Sequence, residues 1–169
     1  TGELPDDLGK LTRLRELNVA NNELTNVGTL ASSLKKLVLR DNQLEKVPAH
    51  LAGLFSLKSL NLCGNKISRL PAAFMQLKAL HHLDVRNNRL ETVPAELVYL
   101  PKVTKIDLRE NRGTLVMVPE DLQQLISRGV ELRLDEGVTF GEKVTDMDIL
   151  DDWRDKCPEL LRLWPDEVD

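Results

Sequence analysis

Side chains able to bind metals or act as nucleophiles are few in this sequence, and their spacing is loose. His82 and Asp84 stand two positions apart, and Cys63 is the third residue of a type that suits zinc. Three such side chains lack a fourth ligand and a partner to orient the imidazole, so they do not make a closed zinc site. His50 and His81 have no chemical partner close in sequence, and no basic triad flanks Cys63 to activate its thiol. Glycine-rich phosphate loops, paired metal motifs and nucleophile elbows do not occur. The expectation is a chain without catalysis, metal or cofactor.

A second set of side chains is regularly spaced and suits recognition instead. Asp84 precedes Arg86 by two positions, and Asp107 precedes Arg109 in the same way. Lys36, Arg40, His82, Lys105 and Arg133 fall in equivalent frames. Arginine presents a planar fork that grips carboxylates in bidentate fashion, and it is enriched where proteins bind proteins. Arg40, Arg86 and Arg109 are therefore candidate anchors for the carboxylates or carbonyls of a partner. The competing reading is a solvated face whose charges offset each other, with exposed pairs contributing about 0–1 kcal/mol each. On the docking reading, Arg86→Glu with Arg109→Glu abolishes binding and leaves the melting temperature nearly unchanged.

These residues are positioned by a repeated frame, L-x-x-L-x-L-x-x-N-x-L. Its copies include Leu14-Leu17-Val19-Asn22-Leu24, Leu34-Leu37-Leu39-Asn42-Leu44, Leu57-Leu60-Leu62-Asn65-Ile67 and Leu80-Leu83-Val85-Asn88-Leu90. Val103-Ile106-Leu108-Asn111 carries most of a fifth copy, and Val130-Leu132-Leu134 begins a sixth that has Gly137 where the asparagine is due. The Leu-x-Leu step has strand period, so the two leucines face one side and the residue between them faces the other. A unit of this length cannot bury its own apolar side, so the copies must stack. An asparagine amide both donates and accepts, and a column of them can satisfy backbone groups that a tight turn leaves buried. The asparagines are thus read as structural.

The frame resembles the leucine-rich repeat superfamily, in its intracellular class of about 23 residues per repeat. That class closes its repeats with Leu-Pro or Val-Pro, present here as Leu4-Pro5, Val47-Pro48, Leu70-Pro71, Val93-Pro94 and Val118-Pro119. The resemblance covers residues 4 to about 136. It implies an α/β solenoid with a curved parallel sheet on the concave side and short helices or turns on the convex side. Departures from the pattern mark irregularities: the segment 27–33 lacks its proline and should be thin and extended, and 112–114 should bulge. Val130-Leu132-Leu134 should be the last strand. Thr1 falls inside a repeat, which leads to the expectation that further repeats or a cap precede it.

The solenoid is expected over 1–137 and a helical, acidic C-terminal cap over 138–169. Residues 1–137 hold 19 Lys and Arg against 17 Asp and Glu, whereas 138–169 hold 4 against 10. That distribution argues against general binding to nucleic acid or anionic membranes. Thr145 and Asp148 fit a capping box, and Met147, Leu150, Trp153 and Cys157 recur at helical spacing. Pro158 suits the start of a second helix bearing Leu160, Leu161 and Trp164. Trp153, Leu150 and Leu161 are expected to cover the end of the leucine core. Trp164 with Asp151, Asp152 and Asp155 forms an alternative second docking site.

Two cysteines make no disulfide framework and no N-x-[ST] acceptor occurs, so a reducing, cytoplasmic setting is expected. No apolar stretch reaches the ~20 residues of a membrane span. Relatives of the class act as scaffolds in small-GTPase signalling, phosphatase regulation, cell polarity and ciliary assemblies. The resemblance thus implies a non-catalytic protein-interaction module that binds a protein through its concave face, as a monomer or within a larger complex. Two alternatives stay open: the targeting or regulatory region of a larger enzyme, and a structural subunit of a large assembly such as a cilium.

Overall fold

The three-residue spacing after each proline decides how the return segments fold. From Pro48 the chain places Leu51, Leu54 and Leu57 at successive intervals of three, and Pro71 and Pro94 start the same series. A period of three is that of the 3₁₀-helix, in which residues i and i+3 eclipse on one side. In the computed structural model, 3₁₀ turns accordingly span Asp6–Lys10, Ala49–Gly53, Ala72–Gln76 and Ala95–Tyr99. Each proline carbonyl accepts from the residue three ahead, as in Leu51 N–H to Pro48 O at 3.1 Å and Phe74 N–H to Pro71 O at 3.0 Å. The last repeat shifts from 3₁₀ at Glu120–Leu122 to a short α-helix, α1, at Gln123–Ser127.

The Leu-x-Leu steps form strands of three residues: β1 (Glu16–Asn18), β2 (Lys36–Val38), β3 (Ser59–Asn61), β4 (His82–Asp84) and β5 (Lys105–Asp107). Two further strands are β6 (Met117–Val118) and β7 (Glu131–Arg133). One parallel sheet has the order β1-β2-β3-β4-β5-β7, with Leu17, Leu37, Leu60, Leu83, Ile106 and Leu132 in direct register. Their side chains enter one continuous core with the leucines of the return segments, and Phe74 is the aromatic ring fully buried in it. Burying a leucine fully is worth about 1.5–3 kcal/mol. Narrow strands on one side and wider 3₁₀ segments on the other make the sheet the concave face.

The structure describes residues 2–111 and 113–141. Arg112 and the residues assigned to a helical cap, including Leu150, Trp153, Cys157, Leu161 and Trp164, lie outside those described, as do Asp151, Asp152 and Asp155. The segment 27–33 has no helix, as its missing proline predicts. One expectation is corrected. Glu131–Arg133 is the final strand of the large sheet, yet an eighth strand, β8 (Thr139–Phe140), follows and pairs in parallel with β6. Displacement of the apolar residue to Leu115 leaves 116–118 extended, and the Val116 and Val118 carbonyls accept from Thr139 and Gly141 N–H. Gly137 stands at the asparagine position with φ +90°, whereas in the earlier repeats the left-handed residue is the one before the asparagine, so the chain turns differently after β7.

The asparagines bind the repeats together. Asn42, Asn65, Asn88 and Asn111 each accept, through Oδ1, the N–H of the apolar residue after the preceding asparagine: Leu24, Leu44, Ile67 and Leu90, at 3.0–3.1 Å. Their Nδ2 groups donate backward as well, to Val19, Leu39, Leu62 and Val85 carbonyls. Each also donates to carbonyls of its own turn. The Asn22 side chain bonds only its own Val19 and Ala20 carbonyls and the residue is exposed. At that end Leu11 is 48% exposed, and Leu4, Leu8, Leu14, Leu17 and Val19 are only partly buried.

Candidate protein-docking surface

Strand register fixes two columns on the concave face, and a third, Ala20, Arg40, Cys63, Arg86, Arg109 and Asp135, follows from the residues just past the strands. The residue between the core positions runs Asn18, Val38, Asn61, Asp84, Asp107, Arg133, and the column before it runs Glu16, Lys36, Ser59, His82, Lys105, Glu131. Residues two apart on a strand share a face, so Asp84 meets Arg86 and Asp107 meets Arg109 along their own chain. Arg86 donates from Nε to Asp84 Oδ1 at 3.0 Å and from Nη2 to Oδ2 at 2.9 Å. Arg109 grips Asp107 in the same way, at 2.8 and 2.7 Å. Arg86 Nε and Arg133 Nη1 each lie a further 3.7 Å from Asp107 Oδ2.

The aspartates also have a backbone role. Asp84 and Asp107 accept the N–H of the residue two ahead, as Asn18 and Asn61 do in their repeats. A short polar side chain that caps its own chain in this way ends the strand locally. The signal was available in the sequence as Asn or Asp recurring in one column; its consequence is that this column is partly structural.

Depth separates the charges. The Asp107 side chain is 4% exposed, against 32% for Arg86, 36% for Arg109 and 39% for Arg133. Burial opposes ionisation of Asp107, but the Arg109 side-chain and backbone hydrogen bonds, with the Arg109 and Arg86 charges, hold its pKa below the usual value. Hydrogen bonding to Asp84 raises the Arg86 pKa despite opposing desolvation, and bonding to Asp107 does the same for Arg109. Glu131 is pulled down chiefly by its hydrogen bond from Arg133, with Lys105 Nζ also 3.3 Å away.

Six of the sequence-derived candidates converge. His82, Asp84, Arg86, Lys105, Asp107 and Arg133 line one hollow of about 260 Å³, together with Ser59 and Asn61. Lys36, Arg40 and Arg109 lie outside its lining, and Arg40 is tied to Asp41 at 2.8 Å. The docking expectation for Arg86 and Arg109 needs one correction. Both are clamped to aspartates, and reversing Arg109 would face a buried carboxylate with another negative charge. The double reversal therefore costs stability, because an unpaired buried charge is expensive.

Cys63 is buried, and burial followed by the Asp84 charge pushes its thiol pKa up against the opposing Arg86 and Arg40 charges. Among the described residues no three His, Cys, Asp or Glu side chains converge as metal ligands, and no helix is long and apolar enough to cross a membrane.

Comparison with known proteins bears on the fold. The sequence profile described as leucine rich repeat matches residues 12–67, 32–90 and 56–112. A solved leucine-rich repeat protein of Leptospira interrogans superposes with a TM-score of 0.70 at 28% identity, covering 88% of this chain and 37% of that one. A chain of the BIR3–SERK2 complex of Arabidopsis thaliana gives 0.53 at 21% identity, covering 83% and 61%. InlP of Listeria monocytogenes gives 0.58 at 23%, covering 69% and 33%. The chain thus spans less than two thirds of each of these neighbours. Comparison with curated proteins returns no match.

Proposed function

This chain belongs to the leucine-rich repeat family, whose domains are generally protein-interaction modules, and we propose that it is a non-catalytic module that docks another protein on its concave sheet. The supporting observation is the register: six parallel strands hold their outward side chains in aligned rows, rigid enough to present a fixed pattern of charge. Side chains held on strands lose less rotamer freedom on binding than side chains on loops, which favours recognition there. Among the described residues, Arg86 and Arg109 are clamped to aspartates and burial raises the Cys63 thiol, so none of these three is an activated group. A reducing, intracellular setting belongs to the same proposal, resting on a sequence whose two cysteines make no disulfide framework.

The test uses Lys36→Glu with Lys105→Glu, since Lys36 is exposed and the Lys105 side chain pairs only with the surface residue Glu131. Proteins captured from cell extract by the wild-type chain should be lost by the variant, with melting unchanged. Retention of the same proteins at equal affinity would move the docking site off this face.

A further inference from the structure

The concave face is close to balanced in formal charge, yet its hydrogen-bonding capacity is lopsided. Over β4, β5 and β7, Arg86, Lys105, Arg109 and Arg133 face Asp84, Asp107 and Glu131, with Asp135 following β7 in the arginine column, four cations against four carboxylates. Three of these carboxylates are already engaged, Asp84 by Arg86, Asp107 by Arg109, and Glu131 by both Arg133 and Lys105, and Asp135 lies outside the lining of the hollow. The donors are not exhausted. An ammonium has three N–H groups and a guanidinium five, whereas Lys105 Nζ meets one carboxylate and Arg86 bonds through Nε and Nη2. The depth ordering adds to this, because Asp107 forms the floor and the guanidinium groups lie above it. A visitor to the hollow meets unused donors on cations whose carboxylates are already paired.

We infer that the hollow over β4, β5 and β7 receives acidic side chains of a protein segment, with Lys105, Arg133 and Arg86 as the contacting groups. The inference rests on the concave-face reading and supplies its partner chemistry. An apolar or basic segment would strip water from these cations and return nothing, a cost of several kcal/mol in a desolvated interface. A carboxylate completes the vacant donors with charge-assisted bonds. The arginines are already held by their aspartates, so little rotamer entropy remains to be lost. A nucleic-acid backbone fits less well. Across β1–β3 the three columns hold Glu16, Lys36 and Ser59, then Asn18, Val38 and Asn61, then Ala20, Arg40 and Cys63, so the cations thin to Lys36 and Arg40 and form no continuous row. The cationic patch is the size of one or two carboxylates.

The experiment selects binders of the full chain from a random linear peptide library, then measures their affinity by fluorescence anisotropy and their footprint by amide hydrogen exchange. The selected peptides should be rich in Asp and Glu, protect β4, β5 and β7, and weaken with salt. Lys105→Ala and Arg133→Ala should each weaken them about tenfold. Lys105→Ala carries the test if Arg133→Ala proves unstable, because its side chain touches only an exposed glutamate. Selected peptides that protect the sheet but are neutral or basic would overturn the acidic chemistry and leave concave docking intact. Acidic peptides indifferent to both variants, with a footprint elsewhere, would overturn both readings. Tighter binding of a single-stranded RNA oligonucleotide than of any peptide, or no enrichment at all, would also overturn the inference.

Discussion

Two polar rows flank the leucine core, and they solve the same problem by opposite means. The asparagine row is neutral, nearly buried and satisfied by backbone groups of two repeats at once. The aspartate–arginine row is charged, half-open, and satisfied mainly by side chains within one strand. A neutral amide pays little desolvation and can be repeated without accumulating charge, so it serves as the joint between modules. An ion pair costs more to bury and keeps unused donors, so it is tolerated at the rim, where a partner can use them. The fold resides in the first row, and the individuality of this chain in the second.

The comparison can be broken first at the joint. Asn88→Ala should cost about 2–3 kcal/mol, because it orphans the buried Ile67 N–H and takes one of two donors from the Leu62 and Val85 carbonyls, which keep Asn65 and Asn111. Asn22→Ala, at an exposed site whose side chain makes no bond to another repeat, should cost about 0.5 kcal/mol. Equal losses in urea titrations would show that the inter-repeat bonds are not what makes the row matter. The next effect is smaller and depends on pH. The folded pKa of Asp107 is depressed, so its contribution is complete above the unfolded value near 3.9 and disappears as pH falls through the lower folded value. Asp107→Asn should cost about 1–2 kcal/mol at neutral pH and flatten the loss of stability in acid. An unchanged acid transition would remove Asp107 as its source.

A third test sharpens the contrast at the turns between the rows. Glu110 has φ +63°, in the left-handed region that Asn21, Asp41, Gly64 and Asn87 occupy in the other repeats. Glu110→Asn should raise stability by about 0.5–1 kcal/mol, since asparagine tolerates that conformation better. Gly64→Ala should act in the opposite direction, because Asp41 Oδ1 occupies the place of the new Cβ. Smallest of all, Lys105→Ala should change thermal stability by less than about 0.5 kcal/mol, leaving its binding effect readable.

What was legible in the sequence follows from the same division. Leucine and asparagine columns were plain, because every copy sees the same surroundings and so keeps the same residue type. Register was legible too, and with it the columns that hold His82, Asp84, Lys105, Asp107 and Arg133. How the charges pair was not. Asp107 might equally have met Arg86 on the neighbouring strand, and only the geometry shows that Arg109 binds it closely while Arg86 stays at 3.7 Å. β8 was missed because two residues carry no period, and its partner segment exists only where Leu115 is displaced. The 3₁₀ character of the return segments was present in the three-residue spacing, which a search for helical period passes over.

Every interlocking asparagine reaches back to the repeat before it, never forward. On a ribosome the earlier repeat is always already made, so each rung can close as soon as its own asparagine emerges, without waiting for distant sequence. The growing end then carries a single set of unclosed backbone groups at any moment, however many repeats are added.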